Sequence, residues 1–539
     1  MRAWQLSADC IQRRRWLTLT VLCLSLVVVI VDNSILNVAL PTLAKTKARG
    51  GLGAADSDLQ WIVDSYVLVF AGLLITAGSL GDRFGRYRAL VIGLIIFGGG
   101  STLASMANSP GELIGFRMVM GVGAACIMPA TLSIITNVFR DPKERGRAIG
   151  LWAGVAGIGL AVGPVTGGFL LEHFWWGSVL LVNVPIVIIG LVGGFFLVPD
   201  SRDPSAPRVD VLGALLSIAG LATVLWGLIE GPTAGWRSAE VLGAFFVGLA
   251  LLAGFLVWES ITEMPMLDTD FFKRRRFSVA SMAITLTFLS LMGTIFALTQ
   301  YQQSVLGFSP LKAGANLIPM SIVMMVMAPM SARVVERVGT KIVLGTGLLI
   351  VAFSLVLFSL FTVGTATWQL IVATMVMGFG MANTMAPATE SIMGSLPREK
   401  AGVGSAVNDT TRQMGGAIGV ALLGSLLASV YGNHVDSGLK GSELPTGVVD
   451  KIGGSIQAGV GIGRDTPGAL GQRIIDVARD SFLSGMHLAV LVAAAIMAIA
   501  AVGVYLWLPA RAPAPASALA PEREPKSDDR DVELAPARN

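Results

Sequence analysis

Long apolar segments separated by short polar connections dominate the chain between residues 17 and 508. Each segment holds about 20 mainly apolar residues, the length that an α-helix needs to cross a hydrocarbon core about 30 Å thick. The strands of a membrane β-barrel would instead be short and alternate between apolar and polar residues. We therefore predict an all-α polytopic membrane protein. Its fourteen predicted spans are residues 17–40, 59–80, 88–107, 111–136, 147–170, 178–198, 211–230, 239–258, 279–303, 311–331, 341–362, 367–393, 402–429 and 482–508.

The composition agrees with this class. Of the 539 residues, 53% are apolar and 14% are charged, whereas a typical soluble domain is about 25% charged. Mean hydropathy is +0.71. The first apolar run, residues 17–43, is too long for the core of a cleavable signal peptide, so we interpret it as the first span. Cys23 and Cys126 lie in apolar runs, and with Cys10 they predict no disulfide framework.

Basic residues lie mostly in alternate connections. One set of connections carries them at residues 13–15, 83–88, 140–147, 273–276 and 333–341, while the other set holds few beyond residues 45–49, Arg237 and Lys312. Because cytoplasmic loops are enriched in Lys and Arg, we predict a protein of the cytoplasmic membrane with both termini in the cytoplasm. Residues 431–481 then form one long external loop. The tail, residues 509–539, is rich in Pro and Ala and is predicted to be disordered.

Two stretches of the chain recur at nearly the same offset, which indicates an internal repeat. DRFGRYRAL begins at Asp82 and ERVGTKIVL begins at Glu336, 254 residues later; PATLSII begins at Pro129 and PATESIM begins at Pro387, 258 residues later. This offset spans eight helices, so spans 1–6 correspond to spans 9–14, and spans 7 and 8 are inserted. Repeated bundles of this kind place a substrate site near the membrane midplane and work by alternating access.

The repeat divides the chain into four predicted parts. They are an N-terminal six-helix bundle at 1–200, two inserted helices with a cytoplasmic loop at 201–276, a C-terminal six-helix bundle at 277–508 that includes the external loop 431–481, and the tail at 509–539.

The connection between spans 2 and 3 reads GSLGDRFGRYR and is the most distinctive motif. It closely resembles the motif between helices 2 and 3 of the major facilitator superfamily. The count of fourteen helices, DNSILNVALP and GPVTGG narrow the resemblance to the fourteen-helix drug:proton antiporters, and it covers nearly the whole chain. It implies a gate latch in which Asp82 holds the end of a C-terminal-half helix and the arginines complete a charge network. The latch residues are Gly78, Asp82, Arg83, Gly85 and Arg86. An ordinary basic cytoplasmic loop is the alternative.

Charged residues inside spans are functional candidates because each is costly to bury in a membrane. At 1.5 Å per residue, Asp32 in span 1 and Arg117 in span 4 lie at overlapping depths, which makes a pair plausible. A carboxylate that gains and loses such a partner also changes its proton affinity, as an antiporter requires. The resemblance assigns Arg117 to proton transfer, although Met120 stands where the family has glutamine. We predict Asp32, Arg117 and Asp64 as proton-coupling residues. The alternatives are a permanent structural pair, a snorkelling Arg117 and an interfacial Asp64.

Span 5 carries a stripe of small residues, and the resemblance assigns this sequence to antiporters and to the interface between the halves. The stripe consists of Gly159, Gly163, Pro164, Gly167 and Gly168. Small residues four apart also permit simple close packing of two helices, which is the alternative.

After span 5, FWWGSVLLVNVP resembles a family loop at Asn183 and Pro185. The family's arginine and second tryptophan fall on Gly177 and Ser178, so the resemblance implies no arginine contact on the external side here.

Methionines are concentrated in spans 10 and 12, and their adaptable thioethers suit a promiscuous pocket as well as lipid-facing filler. The predicted pocket residues are Asn33, Asn37, Tyr66, Met320, Met324, Asn383, Asn408 and Arg412. Asp409 and Arg412 share a helix face and are interpreted as a structural pair, in one group with Glu390. Span 10 lacks an acid, so we expect monovalent cations or neutral amphiphiles rather than dications.

The sequence therefore predicts a proton-coupled exporter of amphiphilic drugs or antibiotics. Export of an endogenous metabolite, lipid or siderophore, and proton symport, remain alternatives on the same fold. We expect no enzyme, because the three histidines adjoin no recognisable catalytic motif. A nucleotide-binding Gly-Lys pair does not occur in the sequence. No cofactor, metal or nucleic acid is expected; the expected partners are protons, a small substrate and lipid, and the expected state is a monomer.

Overall fold

The computed structural model describes residues 8–43, 50–54, 56–202, 210–262, 265, 267, 269–440 and 444–509. The first part of the chain forms helices α1 (Ala8–Leu43), α2 (Asp56–Phe84), α3 (Arg86–Ser105), α4 (Pro110–Val138), α5 (Pro142–His173), α6 (Ser178–Leu181) and α7 (Asn183–Leu197). Two further long helices follow, α8 (Val211–Ala234) and α9 (Ala239–Ile261).

The second part forms α10 (Asp270–Lys273), α11 (Arg275–Gln300) with a π-helical turn (Tyr301–Val305), α12 (Pro310–Ala315), α13 (Ile318–Val338), α14 (Thr340–Phe358), α15 (Thr367–Met393), α16 (Ala401–Gly438), α17 (Thr446–Gly454), α18 (Ile456–Asp465) and α19 (Ala469–Trp507).

The described part of the chain is almost entirely helical, and the prediction of an all-α polytopic membrane protein is confirmed. Thirteen of its helical segments are long and apolar enough to cross a membrane. The fifth predicted span corresponds to α5, which has 32 residues and is therefore also long enough, at about 48 Å.

Two clusters of buried apolar side chains form the core. One is built almost wholly from residues between Leu19 and Val198, and the other mainly from residues between Phe271 and Leu508. We refer to the bundles around them as the N-terminal and C-terminal halves. The two halves meet where α5 packs on α13 and α15, and where α2 and α4 pack on α16. Helices α8 and α9 pack on each other, and α8 also contacts α2 and α16 beside this interface.

Glycines in the left-handed backbone region separate two pairs of helices at equivalent points of the repeat. Gly85 has φ +114° between α2 and α3, and Gly339 has φ +87° between α13 and α14. Only glycine adopts these angles without strain. We call the end of the bundle with these two glycines the basic face, because the predicted cytoplasmic basic connections lie there.

Residues 431–481, predicted as one long loop, are mostly helical in the structure. Helix α16 continues to Gly438, α17 and α18 follow, and α19 already begins at Ala469. Ile452 of α17 and Ile456 and Val460 of α18 are buried, so both short helices pack apolar side chains on the bundle. The tail beyond residue 509, residues 45–49 and the Asn37 side chain lie outside the described residues.

Candidate functional site

Asp32 on α1 and Arg117 on α4 form an ion pair in the N-terminal half, and both side chains are 0% exposed. Arg117 Nη1 donates a hydrogen bond to Asp32 Oδ2. Its Nε donates to the Ile62 carbonyl at 3.1 Å, and its guanidinium lies 4.2 Å from the centre of the Tyr66 ring. The structure thus brings together the two residues that their depths along the helices suggested as partners. Ile62 and Tyr66 of α2 also contact the Arg117 guanidinium group.

Asn183, at the start of α7, completes this site and was not among the predicted site residues. Its Nδ2 donates to the second oxygen of Asp32, Oδ1, at 2.8 Å and to Ser101 Oγ at 3.1 Å. The Ser101 hydroxyl in turn donates to the Leu180 carbonyl at 2.8 Å. The signal was available, because an asparagine inside an apolar run must find hydrogen-bond partners when it is buried.

The hydrogen bonds at this buried site stabilise the negative charge of the Asp32 carboxylate. Both Asp32 oxygens accept a hydrogen bond, one of them from a cation. Removal of one partner from a buried pair costs about 3–5 kcal/mol because the other charge is left uncompensated. Separation of α1 from α4 would therefore leave the charge of Asp32 without its compensating cation.

Asp64 lies on α2 between the two residues of that helix that contact Arg117. Two residues of an α-helix correspond to a rotation of about 200°, so Asp64 points away from the direction of Ile62 and Tyr66. Its side chain is partly exposed. The structure thus gives Asp64 a different environment from the pair.

Asp82 connects the two halves at the basic face. Its Oδ1 accepts hydrogen bonds from Arg86 Nε at 2.8 Å and from the Gly402 amide at 2.9 Å, and its Oδ2 accepts from the Val403 amide at 3.1 Å. These amides belong to the first turn of α16, where free N–H groups and the helix dipole favour a carboxylate. Arg86 Nη2 also donates to the Glu399 carbonyl at 2.8 Å.

Close backbone packing surrounds this latch. A Cβ atom on Gly78 would lie 2.6 Å from the Gly402 carbonyl oxygen and 2.7 Å from Ala406 Cβ, so only glycine lets α2 approach α16 this closely. Arg83 is placed differently from Arg86: its guanidinium lies 5.2 Å from the ring centre of the neighbouring Phe84.

Further charge pairs cross the same interface. Arg145 on α5 contacts Glu390 on α15 with two nitrogens, at 2.7 and 3.0 Å from Oε1. Lys143 and Arg147 each lie 3.8 Å from a Glu336 oxygen. The two halves are therefore held together at the basic face.

The small-residue stripe of α5 was expected at the interface between the halves, and most of it lies elsewhere. A Cβ atom on Gly159, Gly163 or Gly167 would meet Ile30, Ser34 or Ile35, all on α1 of the same half. Only the neighbouring Pro164 and Gly168 face the C-terminal half, against Gly314 and Leu311 of α12.

A different face of α5 carries the glycines that lie at the interface between the halves. Gly150, Gly154 and Gly157 pack on α13, where added Cβ atoms would lie 2.7 Å from the Ala328 carbonyl oxygen, 2.9 Å from Met325 Cα and 3.1 Å from Met324 Sδ. The positions of small residues can be identified in the sequence, but the sequence does not show which neighbouring helix each of them contacts.

The predicted pocket residues are spread over both halves. Tyr66 lies at the ion pair, Asn33 is partly exposed, and the Asn383 amide donates to the Phe379 carbonyl of its own helix at 2.8 Å. Met320 packs against Gly378 inside the C-terminal half, and Met324 packs against Gly157 of the other half. Both methionines are buried; they are core and interface residues in this conformation rather than lipid-facing filler.

Asn408 and Arg412 belong to a second buried polar cluster, on α15 and α16. Arg412 donates to Thr389 Oγ1 at 3.0 Å and lies 4.0 Å from Asp409 Oδ1. The Asn408 amide donates to Asp409 Oδ1 at 3.2 Å. The Arg412 guanidinium also lies 4.9 Å from the Trp152 ring centre, across the interface. Among the described residues, Asp409 Oδ2 has no hydrogen-bond partner, so this pair is looser than that of Asp32.

Comparison with known proteins gives consistent similarities. The family model described as "Major Facilitator Superfamily" matches residues 22–420. The multidrug efflux pump LfrA of Mycolicibacterium smegmatis is 36% identical over 494 residues, covering 91% of this chain and 95% of that protein. The tetracenomycin C resistance and export protein of Streptomyces glaucescens is 32% identical, covering 92% of both chains. The multidrug resistance protein Stp of Mycobacterium tuberculosis H37Rv is 30% identical over 92% of this chain and 93% of its own.

A solved structure shares the fold. The crystal structure of the human organic anion transporter MFSD10 (TETRAN) superposes with a TM-score of 0.59, and the match covers 92% of this chain and 99% of that one. Sequence identity is 14%, so this likeness concerns the fold alone.

Proposed function

The chain belongs to the major facilitator superfamily, and from this premise we propose that it exports small amphiphilic drugs or antibiotics in exchange for protons. The relatives reported above are named as a multidrug efflux pump, an antibiotic resistance and export protein and a multidrug resistance protein. These names support the cargo class. The two helical halves around a common interface support alternating access.

The buried Asp32–Arg117 pair is the observation that carries the proton-coupling part of the proposal. In this conformation Arg117 neutralises the carboxylate and neither side chain reaches solvent. A movement that separates α1 from α4 removes this cation, and a buried carboxylate without a cation favours the protonated form. The reverse movement expels the proton. A membrane potential of about 100 mV supplies roughly 2.3 kcal/mol per proton that enters.

The contacts at the basic face hold the protein in a conformation in which the Asp32–Arg117 pair is not accessible from that face. Asp82, Arg86 and Arg145 all hold the N-terminal half against the C-terminal half. With both termini in the cytoplasm of a cytoplasmic-membrane protein, this face is the cytoplasmic gate, and it is shut. Opening of the gate requires loss of these contacts, after which cargo from the cytoplasm reaches the interface between the halves.

We propose no catalytic chemistry for the chain. Its partners are a proton, one small monovalent cation or neutral amphiphile, and the surrounding lipid. A single chain contains both halves and the interface between them, so a monomer suffices for transport.

Transport of ethidium into proteoliposomes tests the direction of coupling. The membrane potential is clamped with potassium and valinomycin, and a pH gradient is imposed in either direction. An antiporter takes up dye when the lumen is acidic, because protons leave as the cation enters. Uptake only when the outside is acidic would indicate symport and overturn the proposal.

A further inference from the structure

A cavity of about 540 Å³ opens at the basic face beside the contacts of Glu336 and Glu390. Its walls come from the beginning of α5 in the N-terminal half and from α11, α13, α14 and α15 in the C-terminal half. We call it the basic cavity. Asp32 and Asp82 are not among its lining residues, whereas Glu390, the partner of the gate residue Arg145, is one of them.

Positive charge is in excess around the basic cavity. Three cationic side chains, Lys143, Arg276 and Arg337, and two carboxylates, Glu336 and Glu390, line it. Arg145 and Arg147 pair with these carboxylates from outside the lining. Arg145 is already engaged by Glu390. Arg276 is half-buried in the wall, where the charges of Glu390 and Arg145 act on it. No carboxylate among the described residues lies within ion-pair distance of it. Cationic side chains therefore outnumber carboxylates around the cavity.

An apolar strip leads away from the cavity along α13. Met330, Val334 and Val338 recur every fourth residue and are 41%, 43% and 45% exposed, and Val338 also lines the cavity. Side chains four apart lie on one face of a helix. A cationic cavity at the end of a spanning helix, continued by an exposed apolar face, matches an anionic headgroup with acyl chains attached.

We infer that the basic cavity binds the phosphate of an anionic phospholipid, with Arg276 as its main cationic ligand and Lys143 as a second. The acyl chains lie along Met330, Val334 and Val338. A freely diffusing phosphate would use the same cations but would gain nothing from this strip. The orientation with both termini in the cytoplasm places the site in the inner leaflet, whereas binding itself does not depend on the orientation or on transport.

Native mass spectrometry of the purified full chain, titrated with phosphatidylglycerol or phosphatidylcholine, tests the inference. We expect the wild type to retain one phosphatidylglycerol that is absent from Arg276→Gln at equal concentration. Its apparent affinity should fall at least about tenfold, the smallest effect expected when a hydrogen bond to a charged group is lost. Arg275→Gln is the matched control, because Arg275 is exposed and outside the cavity wall; it should bind like the wild type.

The melting temperature without lipid verifies that each variant is folded. Lys143→Gln provides a second test from the other half of the protein and should weaken the same adduct. Equal loss of lipid from Arg275→Gln and Arg276→Gln would reduce the effect to general surface charge and overturn the inference. So would displacement of the adduct by millimolar inorganic phosphate, which would show an anion site with no role for the acyl chains.

Discussion

Substitution of Asp82 by asparagine should open the basic face. Asp82 accepts two backbone amides from the first turn of α16 and one arginine nitrogen. An asparagine keeps one acceptor oxygen, turns an NH₂ group toward the remaining donors and removes the charge. Hydrogen bonds to charged groups contribute about 1.5–3 kcal/mol each, so we expect the closed state to lose about 2–4 kcal/mol. That is roughly a 30- to 1000-fold shift toward the open state.

The distance between spin labels on the basic-face ends of α4 and α15 measures this shift in nanodiscs. We expect a new, longer distance population in Asp82→Asn, with slower transport and nearly unchanged ethidium binding. Asp200→Asn is the control, since Asp200 lies on the same face and pairs with Arg88 at 3.9 Å in an exposed position. Wild-type distances and turnover in Asp82→Asn would refute the assignment of Asp82 as the latch.

Two other contacts give predictions of a different kind. Gly163→Ala would place its Cβ 2.8 Å from Ser34 Cβ, so we expect a destabilisation of about 1–3 kcal/mol by overpacking and a lower melting temperature. Gly115→Ala is the control: its Cβ would have no neighbour within 4 Å, so this variant should melt like the wild type. Glu390→Arg faces Arg145 with a like charge and should impair transport; the double variant Arg145→Glu/Glu390→Arg should restore part of the activity, and a double variant no better than the single would argue against this gate contact.

Depth along a helix could be predicted from the sequence, because the rise per residue is fixed. This is why Asp32 and Arg117 could be matched before their contact was visible. Lateral neighbours could not be matched in this way. Asn183 begins a different helix, and nothing in its spacing shows that α7 lies against α1.

The internal repeat also predicted more than either half alone. It related the connection at Gly85 to that at Gly339, and both have the left-handed backbone that separates two helices. The repeat did not show that the two connections differ in strength. Asp82 is 4% exposed and has three donors, whereas the equivalent Glu336 is partly exposed and has contacts of 3.8 Å.

Amphipathic segments outside the membrane were the weakest part of the sequence interpretation. Ile452, Ile456 and Val460 belong to helices in a region expected to be a loop, because the search for long apolar spans passes over short helices with one apolar face. The same limitation applies to pockets. Met324 was assigned to a pocket by its chemistry, but its contact with Gly157 depends on how the halves approach each other.

The central claim is that Asp32 exchanges Arg117 for a proton during transport. Proton release from the detergent-solubilised protein, followed with a pH-sensitive dye in weak buffer as ethidium is added, measures this exchange. We predict release from the wild type and none from Asp32→Asn, although the variant still binds ethidium. Release of the same number of protons from Asp32→Asn as from the wild type would contradict the claim.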